Sequence, residues 1–179
     1  RILLERRLVT SDLLGKTEGD PPSGTAVHFS DRDPLSVMVN EEDHLRVQSL
    51  VSGLRIEEAW RMVDKLDEEL GRELAFAYHN EFGFLTSCPT NVGSGLRASV
   101  FIHLPGLVLT KEIGKVLQGL GQVGLTFRGL YGEGSEVVGN FFQISNQTTL
   151  GKTEEDLVDH LDKVARQVIQ YELQARQVL

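Results

Sequence analysis

The sequence is poor in cysteine, in long apolar runs and in net positive charge, and each shortage excludes a class of protein. A single cysteine cannot form an internal disulfide, so we expect a reducing, cytoplasmic location. No apolar run approaches the roughly 18 residues that span a bilayer, and the first residues do not follow a signal-peptide pattern. The net charge of -8 argues against nucleic acid or an anionic membrane as a partner.

The remaining composition is ordinary for a globular protein, with 40% hydrophobic and 25% charged residues in a chain of 179. Period-two patterns predict strands, and period-3.6 patterns predict one helix from Ile56 to Leu70, one capped by Thr110 and one capped by Thr153. The strand candidates are 26–29, 36–39, 45–51, 97–104, 123–127 and 141–147. Because strands and helices do not alternate regularly, we predict an α+β fold with a largely antiparallel sheet flanked by helices.

The first notable motif is an acidic run between two predicted strands. Glu41, Glu42 and Asp43 stand side by side, and Arg46 follows three residues later. Like charges packed this closely repel one another and alter each other's proton affinity. The simpler alternative is a solvated acidic turn without a function.

The second motif is a loop that contains Cys88, Gly93 and Gly95 and ends at Arg97, where we predict that a strand begins. Glycines allow the backbone to approach a ligand closely. The loop lacks the Gly-Lys-Ser/Thr ending of a P-loop and the spacing of a dinucleotide fingerprint. The alternative is a glycine-rich surface loop with a buried cysteine.

The third motif is a glycine-rich loop at 128–136, which begins with Arg128 and contains two carboxylates. Such a loop suits a mobile lid, and a flexible surface turn is the alternative. Together, the three motifs supply three arginines whose planar guanidinium groups suit a triphosphate. Their carboxylates suit a cation, so ATP with a guanidinium-bearing substrate fits the set.

These residues resemble a known family. Asn-Glu-Glu-Asp-His-Leu-Arg at 40–46, Cys-Pro-Thr-Asn-Val-Gly-Ser-Gly-Leu-Arg at 88–97 and Ile-Ser-Asn at 144–146 are similar to the ATP:guanido phosphotransferases, which include the creatine and arginine kinases. Arg-Gly-Leu-Tyr-Gly-Glu-Gly-Ser-Glu at 128–136 resembles the bacterial protein-arginine kinase branch, which marks proteins for degradation. The implied catalytic domain is related to that of glutamine synthetase and covers 24–179, after an N-terminal segment and linker at 1–23.

The resemblance also implies roles for individual residues. The implied catalytic residues are Glu42, Glu133 and Cys88, and Glu41 is implied to contact magnesium through water. The implied nucleotide-binding residues are Arg46, Arg97, Ala98, Ser99, Val100, Phe101, Arg128, Gly129, Leu130, Tyr131 and Gly132. Two family features, an upstream Ser-Ser-Arg-x-Arg motif and a downstream phosphoarginine-binding region, are not among the 179 residues, so we expect an isolated catalytic core.

The function that we expect from the resemblance is phosphorylation of arginine side chains by ATP with Mg²⁺. In this mechanism, two carboxylates grip the guanidinium and one of them accepts its proton. The expected partners are ATP and arginine-containing proteins, without nucleic acid or membrane, and a homodimer is left open. Two alternatives remain, namely a kinase for a small guanidino metabolite such as free arginine, and a non-catalytic nucleotide- or phosphoarginine-binding regulatory module.

Overall fold

The computed structural model describes residues 8–10, 13, 24–30, 34–128 and 139–179. The chain divides into two compact units, Arg1–Gly93 and Ser94–Leu179. Each unit contains antiparallel strands and helices, which confirms the predicted α+β class. None of the helices in the described ranges is long and apolar enough to cross a membrane. The predicted boundary at residue 23 adjoins residues outside the described ranges and stays a prediction.

The first unit begins with a three-stranded antiparallel sheet in the order β1-β2-β3, followed by a helix that packs on β3. A two-stranded hairpin and a short 3-10 turn follow in the chain. The elements within the described residues are β1 (Ala26–Phe29), β2 (Leu35–Val39), β3 (Leu45–Ser49), α1 (Ile56–Glu73), β4 (Tyr78–His79), β5 (Gly83–Phe84) and the 3-10 turn Pro89–Asn91.

The core of the first unit forms around β2. Ser36 and Met38 are buried because alternate residues of a strand point to the same face. Met38 packs against Val9 and Leu13, with Val27 of β1 at the side. Met38 lies near the C-terminal end of β2, which leads directly into the acidic run. This core therefore fixes the position at which the acidic loop begins.

The second unit contains a three-stranded antiparallel sheet in the order β6-β8-β7, with helices packed on it. The fully buried side chains of this unit include Leu104, Leu107, Leu125, Ile144 and Leu161. Its elements are β6 (Ser99–His103), α2 (Pro105–Leu109), α3 (Ile113–Gln122), β7 (Leu125–Arg128), β8 (Phe141–Asn146) and α4 (Glu154–Gln177).

Helix α4 begins as the sequence predicts. The Thr153 hydroxyl accepts a hydrogen bond of 3.1 Å from the Asp156 backbone N–H, which satisfies a group that the helix itself leaves unpaired. Of the predicted stripe of Leu157, Leu161, Val164 and Val168, three residues are buried and Val164 is half-buried. Burial of this stripe fixes α4 on the second unit.

A buried carboxylate near the end of α4 caps the start of α2. Glu172 is 4% exposed and accepts hydrogen bonds from the backbone N–H groups of Gly106 (2.8 Å) and Leu107 (2.9 Å). Arg176 donates to the same carboxylate at 2.6 Å. Anions are favoured at helix N-termini, so this contact joins two elements distant in sequence.

Two details of the predicted fold are wrong. The prediction that Thr110 caps the start of a helix is wrong because a five-residue helix begins earlier, at Pro105, and Thr110 ends it. The Thr110 hydroxyl instead donates to the Gly106 carbonyl at 2.9 Å, and α3 begins at Ile113. Arg97 precedes its strand by two residues, because β6 begins at Ser99.

Candidate active site

The acidic run forms the tight connection between β2 and β3, as predicted. The Asn40 backbone N–H donates to the His44 carbonyl at 2.9 Å, which closes the loop. Asn40 has a positive φ of 52°, a conformation that asparagine tolerates better than most residues. Its side chain donates to the Gly24 carbonyl at 2.8 Å. The loop is therefore held at its base on both sides.

Glu41 points into the protein. Its side chain is 1% exposed and accepts hydrogen bonds from the Thr10 hydroxyl, the Arg46 guanidinium (3.2 Å) and the Glu42 backbone N–H (2.7 Å). Burial raises the pKa of Glu41, but the bonds from Thr10, Glu42 and Arg46 outweigh it and hold the pKa below its ordinary value. Glu41 is therefore ionised at neutral pH and holds Arg46 beside it.

These bonds bear on the predicted contact between Glu41 and magnesium. Both carboxylate oxygens already accept hydrogen bonds from donors of the chain, so direct coordination does not fit this arrangement. Across the described residues, no group of three or more His, Cys, Asp or Glu side chains is placed to hold a metal ion. A magnesium ion that arrives with ATP keeps phosphate and water ligands. The predicted contact through water stays a prediction.

Asp43 ties the acidic loop to the cysteine loop. One carboxylate oxygen accepts from the backbone N–H groups of Ser87 (2.6 Å) and Cys88 (3.2 Å), and the other accepts from the Asn91 side chain (2.7 Å). Asp43 is not among the predicted site residues. Its place in the acidic run was the available signal, but no spacing rule links residues so far apart.

Cys88 lies half-buried at the start of the 3-10 turn. Its carbonyl accepts from the Thr86 hydroxyl (2.6 Å) and the Asn91 backbone N–H (3.0 Å). Its sulfur lies 3.0 Å from the Thr90 hydroxyl. Glu42 is exposed next to Asp43. The first unit thus joins the loops that carry two of the predicted catalytic residues, Glu42 and Cys88.

The second unit presents one exposed sheet face that carries predicted nucleotide-binding residues. Phe101 is opposite Gln143 in the register, and Gln143 is opposite Arg128, so the three side chains lie in a row on this face. Phe101 also stacks on Phe141, with ring centroids 5.1 Å apart and planes 3° apart. His103 stacks on Phe141 at 4.5 Å. This face therefore carries both aromatic rings and the Arg128 side chain, with Gln143 between Phe101 and Arg128.

Arg97 is exposed and lies just before this sheet. Its two neighbours in the chain are held by the side chain of Asn146, which accepts from the Ala98 N–H at 2.8 Å and donates to the Leu96 carbonyl at 2.9 Å. Ala98 is buried, whereas Ser99 is exposed, in agreement with the predicted alternation. The second unit thus carries both Arg97 and Arg128 at one sheet.

Several predicted residues are not tested by this geometry. Glu133, Gly129, Leu130, Tyr131 and Gly132 lie outside the described residues. Arg46 belongs to the first unit, whereas Arg97 and Arg128 belong to the second. The shared cavity of the three arginines, and the catalytic and binding roles of all the predicted site residues, stay predictions.

Comparison with known proteins decides the family. The family model for the ATP:guanido phosphotransferase C-terminal catalytic domain matches residues 1–175. The chain belongs to this family. It is 51% identical over 172 residues to the protein-arginine kinase of Symbiobacterium thermophilum, a match that covers 96% of this chain and 49% of that protein. It is 49% identical over all 179 residues to the protein-arginine kinase of Bacillus cereus, again over 49% of that protein. The chain therefore spans about half the length of the relatives that it matches.

Solved structures agree with the assignment. The duplicated taurocyamine kinase of Schistosoma mansoni, solved with bound transition state analog components, has a TM-score of 0.79 and 27% identity over 96% of this chain and 24% of that one. Lombricine kinase has a TM-score of 0.81 over 99% of this chain and 50% of that one. At 24% identity, the second comparison supports the fold alone.

Proposed function

We propose that this chain carries the catalytic centre of a protein-arginine kinase, which transfers the γ-phosphoryl group of Mg·ATP to the guanidinium of arginine side chains in proteins. The family supports phosphoryl transfer to a guanidinium, and relatives at 49–51% identity bear the name protein-arginine kinase. The cytoplasmic location and the role in protein quality control are part of this proposal, which leaves a homodimer open.

The acceptor chemistry requires carboxylates because a guanidinium is protonated at any ordinary pH and is a poor nucleophile. We assign Glu42 and Glu133 to hold the guanidinium in line with the γ-phosphorus, and one of them to accept its proton as the N–P bond forms. The exposed position of Glu42 leaves its carboxylate accessible to a substrate. Cys88 is assigned to the substrate side of the same site.

Transfer of the phosphoryl group requires positively charged groups that are held in fixed positions around it. Arg46, Arg97 and Arg128 are assigned to the phosphoryl oxygens, where charge spreads during transfer. Magnesium, bound to the phosphates of the substrate ATP, neutralises further charge. Alignment of the two substrates lowers the barrier as well, by about 7–11 kcal/mol in favourable cases.

The observation that carries this proposal is the tie made by Asp43. The acidic motif and the cysteine motif are the two that the family resemblance assigns to the guanidinium. Three hydrogen bonds from Ser87, Cys88 and Asn91 to one carboxylate join them within a single unit. A solvated acidic turn without a function does not need this connection.

The test is a kinase assay with Mg·ATP and an arginine-rich protein, in which phosphoarginine is detected directly. Glu42→Gln keeps the size of the side chain and removes its basicity, so we expect kcat to fall about 10²–10⁴-fold. Glu81→Gln, at another exposed glutamate of the first unit, is the matched control and should keep full activity. Turnover of Glu42→Gln near the wild-type rate would reject the assignment.

Two further arms separate the alternatives. Free arginine replaces the protein in one arm, and phosphorylation of free arginine alone would favour a small-metabolite kinase. In the other arm, Mg·ATP is added during thermal unfolding, because a ligand of the native state raises Tm. A raised Tm without any phosphoryl transfer would favour the regulatory module.

A further inference from the structure

The Asn146 side chain is buried at the end of β8 and makes three hydrogen bonds to the chain. It is 3% exposed. Its carbonyl oxygen accepts from the Ala98 N–H at 2.8 Å, and its amide nitrogen donates to the carbonyls of Leu96 (2.9 Å) and Thr148 (3.1 Å). The partners fix which end of the amide is oxygen, because one is a donor and two are acceptors.

These bonds hold the two peptide groups on either side of Arg97. The Leu96 carbonyl belongs to the peptide group before the Arg97 Cα, and the Ala98 N–H belongs to the peptide group after it. Since peptide groups are planar, fixing both of them fixes φ and ψ of Arg97. The strand ladder does not supply this restraint, because β6 begins only at Ser99.

A second contact holds the residues before this segment. The Thr149 carbonyl accepts from the Ser94 backbone N–H (3.1 Å) and the Ser94 hydroxyl (3.2 Å). The Leu96 N–H in turn donates to the Ser94 hydroxyl at 3.3 Å. The end of β8 and the turn after it therefore hold the segment around Arg97 by hydrogen bonds at two places. Thr149 binds Ser94, and Asn146 binds the two residues next to the arginine.

From this geometry we infer that Asn146 is a positioning residue for Arg97, which fixes the backbone from which the guanidinium reaches the phosphates of ATP. The inference rests on the proposed function. The Arg97 side chain is exposed, and it departs from the backbone segment that Asn146 holds. A guanidinium binds phosphate through paired hydrogen bonds, and displacement of such a group by about 1 Å costs roughly 10²-fold in rate.

The experiment compares Asn146→Ala with Gln147→Ala, which removes an exposed side chain at the next residue. We expect Asn146→Ala to raise the Kd and KM for Mg·ATP about tenfold or more and to leave the KM for the arginine substrate unchanged. Gln147→Ala should change neither. Hydrogen exchange of the Ala98 N–H should accelerate in Asn146→Ala alone, and this readout needs no nucleotide.

A double-mutant cycle with Arg97→Ala separates positioning from folding. If Asn146 acts through Arg97, Asn146→Ala should add little to the loss of Mg·ATP affinity already caused by Arg97→Ala. Additive losses of Mg·ATP affinity would overturn the inference. Should Asn146→Ala fail to fold, Ser94→Ala removes the second contact and should raise the KM for Mg·ATP by a smaller factor; an unchanged KM would overturn the inference as well.

These measurements distinguish failure of the proposed function from failure of the inference about Asn146. Absence of Mg·ATP binding by the wild-type chain would overturn the proposed function and this inference together. Normal binding by the wild-type chain with no coupling between Asn146 and Arg97 would overturn this inference alone.

Discussion

The backbone N–H of Cys88 donates to the carboxylate of Asp43, 45 residues earlier in the chain. The same carboxylate accepts from Ser87 and Asn91, so one side chain organises a whole turn of the cysteine loop. An ionised carboxylate can do this because it accepts several hydrogen bonds and donates none. A side chain with fewer acceptor sites cannot hold this turn in the same way.

Asp43→Asn should destabilise the protein and impair catalysis together. The amide keeps one oxygen acceptor and places an NH₂ group against donors, so at least one bond to a charged group is lost. We expect the free energy of unfolding to fall by about 1.5–3 kcal/mol, as measured by urea denaturation at pH 7. His44→Ala, at an exposed neighbouring residue, is the control and should be close to neutral.

Asn91→Ala extends this test. Asn91 is the side chain that donates to Asp43, so the losses in the two single variants and the double variant should not add. Independent, additive losses would show that the contact between Asp43 and Asn91 contributes nothing measurable to stability.

Variants of Glu41 and Thr10 separate two possible roles of the Glu41 carboxylate, namely orienting Arg46 and contacting magnesium. Thr10 donates a hydrogen bond to Glu41 and carries no carboxylate of its own to offer a metal ion. If Glu41 orients Arg46, both Glu41→Gln and Thr10→Val should raise the KM for Mg·ATP. A hydrogen bond with a net contribution of about 0.5–1.5 kcal/mol corresponds to about 2–10-fold in this KM.

The control for this pair is the Mg²⁺ titration at fixed ATP. Orientation of Arg46 predicts an unchanged requirement for Mg²⁺ in Thr10→Val. An increased Mg²⁺ requirement in Glu41→Gln, with wild-type kinetics in Thr10→Val, would instead assign Glu41 to the metal.

The sequence was sufficient for the elements whose side chains repeat with a clear period. Alternation predicted that Ala98 and Leu104, which flank β6, are buried, and helical spacing placed Leu161 in the core. Helix α2 could not be predicted in this way, since five residues are too few for a period. Thr110 was ambiguous because a threonine hydroxyl can cap a helix start or bond back to a carbonyl of the preceding turn.

In the candidate site, too, some features could be predicted from the sequence and others could not. Its residue types could be recognised from motifs, because each motif is continuous in sequence. The contacts that organise it could not, because Asp43 and Cys88, or Asn146 and Ala98, are paired across 45 and 48 residues and depend on the tertiary fold. Residues that position a site are therefore harder to predict than residues that carry its charge.

Glu172 should make stability depend on pH in the acid range. Burial raises the pKa of Glu172, but Arg176 and the N–H groups of Leu107 and Gly106 outweigh it, so the folded-state pKa lies below its ordinary value of 4.5. The stabilisation is therefore complete above the unfolded-state pKa and is lost as pH falls through the folded-state pKa. We expect Glu172→Gln to be less stable than wild type at pH 7.

The measurement is urea unfolding of both proteins between pH 7 and pH 3. The difference in unfolding free energy between wild type and Glu172→Gln should stay constant down to about pH 5 and shrink below it. Glu69→Gln, at an exposed glutamate inside α1, is the matched control. A difference that stays constant across the whole range would mean that Glu172 does not titrate below its ordinary value.

Gly83→Ala should distort the cysteine loop, although Gly83 itself precedes that loop in the chain. Gly83 has a φ of +76°, and a Cβ at this position would lie 2.7 Å from the Gly93 carbonyl oxygen. Gly93 lies within the cysteine loop and exchanges two backbone hydrogen bonds with Phe84, of 2.9 and 3.1 Å. Alanine therefore meets a backbone that cannot move without breaking this pairing.

Gly53→Ala is the matched control because Gly53 has nearly the same φ, +79°, with no atom within 4 Å of its added Cβ. It should lose only the cost of a left-handed conformation, about 1–2 kcal/mol. Gly83→Ala should lose about 1–3 kcal/mol more, from the clash, and kinase activity should fall with it. Equal losses of unfolding free energy in the two variants would mean that the contact between Gly83 and Gly93 does not constrain the loop, since backbone conformation alone would then explain both.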